Sequence, residues 1–327
     1  LTRELVESEG CQIMLSAEAS GASFAAHEVL RNTDVLGLHL LSETTQLTAD
    51  PALRSPNVFR TARQALHDSI VGGSFAAKIA KDNGLKRWAT IAADYAYGRE
   101  ATPEFMNYLK AGGAEVDLVA EAWPKLFAPD YTADITRILQ AQPEALFCGL
   151  WGGDLVSFID QGNLFGLFDK VQVFSIHMAD YTTLTVVSKL PEGGLYSSNR
   201  YVTAFPDTAE NRAWSDAYAG RFGSRPTNWS WESDAGVRFL TKAIRTTGSS
   251  DPKVLAEAIR GSTVASPIGV GEGGAVQIRE SDHTIVDYAF GWGRIVPEEP
   301  FLVDIQAADW AEILELEAAW MKEKGFL

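Results

Sequence analysis

Short apolar runs alternate with longer helix-like stretches across about the first two hundred residues of this chain. The runs occupy residues 12–16, 35–41, 88–93, 116–122, 145–149 and 171–176, and the helical stretches occupy 21–31, 64–83, 97–111, 131–140 and 154–165. Strands separated by helices of that length read as βαβ units, whose strands lie parallel in one sheet. In open parallel sheets ligands bind beyond the carboxyl ends of the strands. The same alternation that predicts the fold class therefore also marks the loops where function is expected.

The chain has 327 residues, enough for about two domains, and 46% of them are hydrophobic, enough for proper cores. No stretch approaches the roughly 18 consecutive apolar residues of a membrane span. No signal peptide is present and the chain opens with Leu1, so a processed or truncated product is expected. The net charge of −15, with the basic residues scattered, argues against nucleic acid and against an anionic membrane surface. Cys11 and Cys148 fall in different βα units and are expected to remain separate buried thiols.

Three extended segments interrupt the alternation, at 57–61, 193–201 and 276–288. They are read as crossings between two lobes built from interleaved segments. The expected lobes are residues 1–61 plus 201–284 and residues 62–200 plus 285–327. Helices are expected over 206–222, 229–246 and 252–260, with an acidic helix over 307–324 whose apolar face carries Trp310, Ile313, Leu314 and Ala318. Residues 1–10 read as a helix end stopped by Gly10. A sheet that begins this way is short of strands, and a strand–helix–strand segment is expected upstream.

Motif searches return little catalytic chemistry. GVGEGG at 269–274 has dinucleotide-type glycine spacing but runs into Ala275-Val276-Gln277-Ile278, which alternates like a strand, so a glycine-rich turn is expected. No pair among the five histidines has metal-ligand spacing, and no nucleophile-elbow motif is present. Neither a metal nor a cofactor is expected. The strand-end loops are more informative. Ala19, Ser20, Gly21 and Ala22 open a helix whose N–H groups suit a carboxylate. Ser42, Glu43 and Thr44 supply polar groups after the second run. Tyr95, Tyr97, Trp151 and His177 follow three later runs. Hydroxyls, a helix start and aromatic faces together suit a small polar molecule with an apolar body.

At these residues the chain resembles the type I periplasmic binding proteins, the leucine/isoleucine/valine-binding family of ABC-importer receptors. The resemblance covers most of the chain. It rests on IMLSAEASGA at 13–22, LLSETTQLT at 40–48, VFRTA at 58–62, DYAYGRE at 94–100, FCGLWGGD at 147–154 and LPEGGLYSSNRY at 190–201. It implies two doubly wound α/β lobes with parallel central sheets, joined by three crossings and closing on a ligand. It also implies that Ser20–Ala22 take a ligand carboxylate, that Ser42 and Thr44 lie in a second contact loop, and that Tyr97 covers the ligand from the other lobe. Trp151 falls where the family has an aromatic residue. His177 falls where amino-acid binders often carry a carboxylate for the ligand's ammonium, so that grip is absent here or comes from Glu18 or Glu43.

The resulting expectation is an extracytoplasmic, periplasmic solute receptor without enzyme activity, monomeric, delivering a small carboxylate ligand to an ABC permease in the inner membrane. The ligand is an amino acid, branched-chain or other, or an aromatic acid. Two other classes remain open at this point: a ligand-sensing domain of a signalling system on the same fold, and an α/β enzyme using Asp94, Glu18 or His177 as acid or base.

Overall fold

A computed structural model describes residues 1–200 and 202–327; Tyr201, at the end of one expected crossing and the start of one expected lobe segment, lies outside the described residues. The chain divides into two compact units. The first comprises Leu1–Ala65, Trp229–Ala289 and Leu314–Leu327, and the second Leu66–Asn228 and Phe290–Ile313.

The amino-terminal part of the first unit runs α1 (Thr2–Glu7), β1 (Ile13–Ser16), α2 (Ser20–Leu30), β2 (Leu36–His39), α3 (Gln46–Ala49) and β3 (Val58–Arg60). The second unit follows with α4 (Ala65–Asn83), β4 (Arg87–Ile91), α5 (Ala96–Ala111), β5 (Asp117–Ala122), α6 (Thr132–Ala141), β6 (Ala145–Cys148), α7 (Gly152–Leu164), β7 (Gln172–Ser175), α8 (Tyr181–Leu184), β8 (Leu195–Ser198) and α9 (Ala209–Phe222). The chain then passes through α10 (Asn228–Thr247), α11 (Pro252–Ile259), β9 (Thr263–Ala265), β10 (Ala275–Ile278) and β11 (Ile285–Val286). β12 (Gly291–Ile295), β13 (Leu302–Ala307) and α12 (Trp310–Glu323) complete it. All six apolar runs form strands and all five intervening stretches form helices, within a residue or two of the expected ends.

In the first unit β1, β2 and β3 form a parallel sheet in that order, with Leu15 opposite Leu38 and Leu38 opposite Phe59. Central β2 is buried along its whole length, as a parallel strand covered on both faces must be. β1 lies at the edge, and its Leu15 is 43% exposed. A small antiparallel sheet, β11-β10-β9, accompanies it. The glycine-rich 269–274 segment is a turn entering β10, with Gly273 and Gly274 at positive φ and Gly271 bridged to Ala275.

The second unit is built on a seven-stranded sheet, β13-β12-β8-β7-β6-β4-β5. β8, β7, β6, β4 and β5 are mutually parallel, while β12 pairs antiparallel with β8 and with β13. The chain leaves β4 for β5 on one side and then resumes with β6 on the other. The strand order therefore reverses between β4 and β6, and such a reversal opens a crevice at the carboxyl ends of those two strands. The core packs Ile91, Leu146, Leu155, Phe158 and Val173 to exclusion of solvent. On the sheet's other face the rings of Phe105 and Phe147 stack at 4.2 Å. β1 and β6 lie in separate sheets, and Cys11 and Cys148 are free thiols, with Cys11 only half-buried.

The units differ from the expected lobe segments by short boundary shifts at 62–65 and 285–289, which count with the first unit, and by two longer segments. Residues 202–228 count with the second unit, where the Asn228 N–H donates to the Arg200 carbonyl at 3.2 Å and Arg225 lies 4.0 Å from Glu299. Residues 314–327 count with the first, where Glu317 forms a buried ion pair with Arg279. Both ties are long-range and leave no trace in local periodicity.

Candidate functional site

In the first unit the candidate residues gather at the carboxyl ends of β1, β2 and β3. Ala19 is the N-cap of α2 in extended conformation, and no side chain caps the helix. Ser20 is buried, whereas Gly21 and Ala22 are exposed on the first turn. Ser23 turns its hydroxyl back to the carbonyls of Glu18 and Ala19. Three other helices do carry a side-chain cap: Asp180 accepts from the Thr182 N–H, Thr208 from Asn211, and Asp251 from Lys253 and Val254. The bare start of α2 thus presents the N–H groups of Ser20 and Gly21, and the positive end of a helix dipole, beside the end of β1, while the Ala22 N–H donates to the Ala19 carbonyl at 3.0 Å.

The loop after β2 buries Ser42, Glu43, Thr44 and Thr45. It is braced from β3: Arg60 donates to the Thr44 carbonyl at 2.8 Å and to the Thr48 and Thr284 hydroxyls at 2.6 and 3.0 Å. The Ala65 N–H donates to the Glu43 carbonyl at 2.8 Å. After β3, the Arg63 N–H donates to Glu232 Oε1 at 3.0 Å, and the Arg63 guanidinium lies 5.6 Å from the Tyr288 ring centre.

Buried side chains at these strand ends include polar atoms without a hydrogen-bond partner, among them Ser16 Oγ ending β1, Ser42 Oγ after β2, and both amide atoms of Gln64 after β3. Buried polar groups are nearly always paired, so orphans on three adjacent strand ends make this place a candidate for a polar ligand. Ser16 and Gln64 were not among the expected site residues. Gln64 opens an apolar-periodic stretch and reads as helix; Ser16 is the last residue of an apolar run.

In the second unit the candidates form one connected aromatic cluster at the reversal point. Tyr95 caps α5 in extended conformation after β4, and Trp151 caps α7 in the same conformation after β6. The Trp151 indole donates to the Tyr95 hydroxyl at 2.7 Å. The Tyr95 and Tyr97 rings lie 6.1 Å apart. The Tyr97 hydroxyl shares a hydrogen bond of 2.9 Å with Nε2 of His177, which follows β7. Two glycines permit this geometry. A Cβ on Gly98 would stand 2.2 Å from the Ala93 carbonyl, so only glycine lets α5 start this close to β4; Gly152 takes a φ of 54° directly after Trp151.

The carboxylates around this cluster are engaged. Asp94 accepts from Arg99 Nε at 2.7 Å, a contact that holds its carboxyl below the usual range. Asp154 accepts from the Phe127 N–H at 3.0 Å, and burial raises its pKa against the pull of that bond and of the Tyr131 hydroxyl. The Phe127 ring meets Trp151 edge-on at 6.2 Å, and Phe127 too escaped the sequence reading, in which residues 123–130 form an unassigned connection. Among the described residues no group of three or more His, Cys, Asp or Glu is placed to hold a metal ion, and no helix is long and apolar enough to cross a membrane.

The sequence matches the family described as Periplasmic binding protein over residues 1–290. It is 24% identical over 281 residues to the Leu/Ile/Val-binding protein homolog 6 of Brucella abortus (strain 2308), covering 82% of this chain and 67% of that protein. The structure is similar to a solute-binding protein of an ABC transporter from Rhodopseudomonas palustris BisB5 in complex with 3,4-dihydroxybenzoic acid. That similarity has a TM-score of 0.81 and 26% identity, over 94% of this chain and 80% of that one. A second R. palustris solute-binding protein, in complex with benzoate, shares the fold at a TM-score of 0.79 and 19% identity, over 94% and 79% of the two chains.

Proposed function

The chain belongs to the periplasmic binding protein family, and from that premise we propose that it is the solute receptor of an ABC importer for a small aromatic carboxylate. Members of this family bind small ligands and deliver them to a permease, without catalysis. The proposed site is outside the cytoplasm, and the proposed partner is the permease in the inner membrane.

In this reading the ligand carboxylate rests on the N–H groups of Ser20–Ala22, with Ser42 or Thr44 and the amide of Gln64 beside it. The ligand ring packs on Trp151, Tyr95 and Tyr97, and His177 receives a polar substituent.

The observation that carries the aromatic reading is the cluster Trp151–Tyr95–Tyr97–His177, which offers rings and hydrogen bonds but whose neighbouring carboxylates, Asp94 and Asp154, are already engaged. An amino-acid ligand needs an anionic partner for its ammonium. The benzoate-type ligands of the two R. palustris proteins support the same choice. A second reading, an amino acid, is favoured by Glu43, which is buried in the loop after β2.

Titration calorimetry against benzoate, 4-hydroxybenzoate, leucine and phenylalanine separates the two. Trp151→Ala is expected to weaken binding of the best ligand by about 2 kcal/mol or more, as for a central aromatic contact, with the fold intact. Unchanged affinity would place the site elsewhere, and a preference for leucine over the benzoates would reverse the ligand class.

A further inference from the structure

Phe127 departs from two ordinary expectations at once. Its side chain is 69% exposed although aromatic, and its φ is 61°, in the left-handed region that bulky residues avoid. Strain of this kind persists only where the surroundings enforce it, and it concentrates at binding sites. The enforcing group is identifiable: the Phe127 N–H donates to Oδ2 of Asp154, which is buried in the first turn of α7, three residues beyond Trp151.

The position of the loop adds a second, independent observation. Residues 123–130 leave the carboxyl end of β5, the neighbour of β4 on one side of the strand-order reversal, while Trp151 follows β6 on the other side. The Phe127 ring stands nearly perpendicular to the Trp151 ring, at 74°. It therefore extends the chain of rings to Phe127–Trp151–Tyr95–Tyr97–His177. A phenylalanine serving only the core would bury its ring, and an incidental surface phenylalanine would need no tether into a buried carboxylate.

We propose that Phe127 is a specificity-determining contact whose ring forms an outer aromatic wall of the ligand site, selecting ligands with a flat ring, and that Asp154 is the positioning residue that holds it there. The inference rests on the aromatic-carboxylate reading above and names the residue that makes the choice.

The test uses the whole 327-residue chain and 4-hydroxybenzoate. Phe127→Ala is expected to raise Kd about tenfold while its unfolding midpoint stays at the wild-type value, because the ring removed is exposed. Phe127→Trp, which keeps a flat ring, retains binding near wild type. Asp154→Ala weakens binding like Phe127→Ala, and Asp154→Asn, which keeps an acceptor oxygen for the Phe127 N–H, restores it. A Kd for Phe127→Ala within twofold of wild type overturns the proposal even where Trp151→Ala abolishes binding, and leaves the proposed function standing. Equal losses in the Ala and Trp variants overturn it as well, since the ring would then not matter. A wild-type chain that binds no benzoate-type acid overturns both this inference and the reading beneath it.

Discussion

At the scale of single residues, the buried pair His27 and His39 shows how a few atoms set a property of the whole protein. His27 Nε2 donates to the Leu53 carbonyl at 2.8 Å, and His27 Nδ1 shares a hydrogen bond of 3.1 Å with His39 Nε2. His39 Nδ1 is buried without a partner. Burial favours the neutral form of both rings. Burial is the first cause in each case, lowering the His27 pKa and pushing that of His39 down to about 3. The nearby Arg60 acts in the same direction on both. The unfolded chain takes up protons near pH 6.5 where the folded chain does not. Stability is thus complete above that pH and declines as the pH falls below it. Between pH 6.5 and 5 the His39 contribution alone amounts to about 2 kcal/mol. Urea unfolding at pH 7.5 and pH 5.0 is expected to show that loss, and His39→Asn to show a smaller one; parallel curves for the two proteins would refute the assignment.

At the scale of elements, helix starts divide by whether a side chain caps them. Asp180, Thr208 and Asp251 cap α8, α9 and α11, whereas Ala19, Tyr95 and Trp151 leave α2, α5 and α7 without a side-chain cap. These three helices, α2, α5 and α7, each follow the carboxyl end of a parallel strand. Capping α2 should therefore separate stability from binding. Ala19→Asp is expected to add about 0.5–1 kcal/mol of stability, through the new cap and the helix dipole. It should also weaken binding of a carboxylate ligand by about tenfold or more, because the same N–H groups are taken and a like charge is introduced. Thermal unfolding and calorimetry on one sample check both. A stabilised variant with unchanged affinity would remove α2 from the proposed site.

At the scale of the molecule, each unit encloses charged groups that only the fold could pair. In the second unit Arg200 and Asp68 lie 2.6 Å apart with both side chains wholly buried. In the first, Arg279 sits between Asp282 and Glu317. Removing one member of a buried pair strands the other, at a cost of about 3–5 kcal/mol. Asp68→Ala is expected to lower stability by that amount, while Arg200→Met together with Asp68→Leu should recover most of it. Denaturant melts of the single and double variants distinguish pairing from mere loss of volume.

Much of this was legible in the sequence. The alternation of apolar runs with helical stretches located six of the parallel strands and five of the helices beside them, because the period of a strand or helix is written in neighbouring residues; β3 and β8 showed only as extended segments, and the short α3 and α8 left no periodic signal. The motifs at 13–22, 40–48 and 94–100 pointed to the family. The strand-end rule then drew attention to Ser42, Tyr95, Tyr97, Trp151 and His177 before any neighbour was known. What tertiary structure alone decided was which strand ends lie side by side. The order β8-β7-β6-β4-β5 joins Tyr95 to Trp151 across 56 residues and Tyr97 to His177 across 80. It also tethers Phe127 to Asp154, and separate pairings in the other unit leave Ser16, Ser42 and Gln64 with unpaired polar atoms at adjacent strand ends. Sheet order is a property of long-range pairing, decided by burial summed over whole elements, and no local pattern in this chain encodes it.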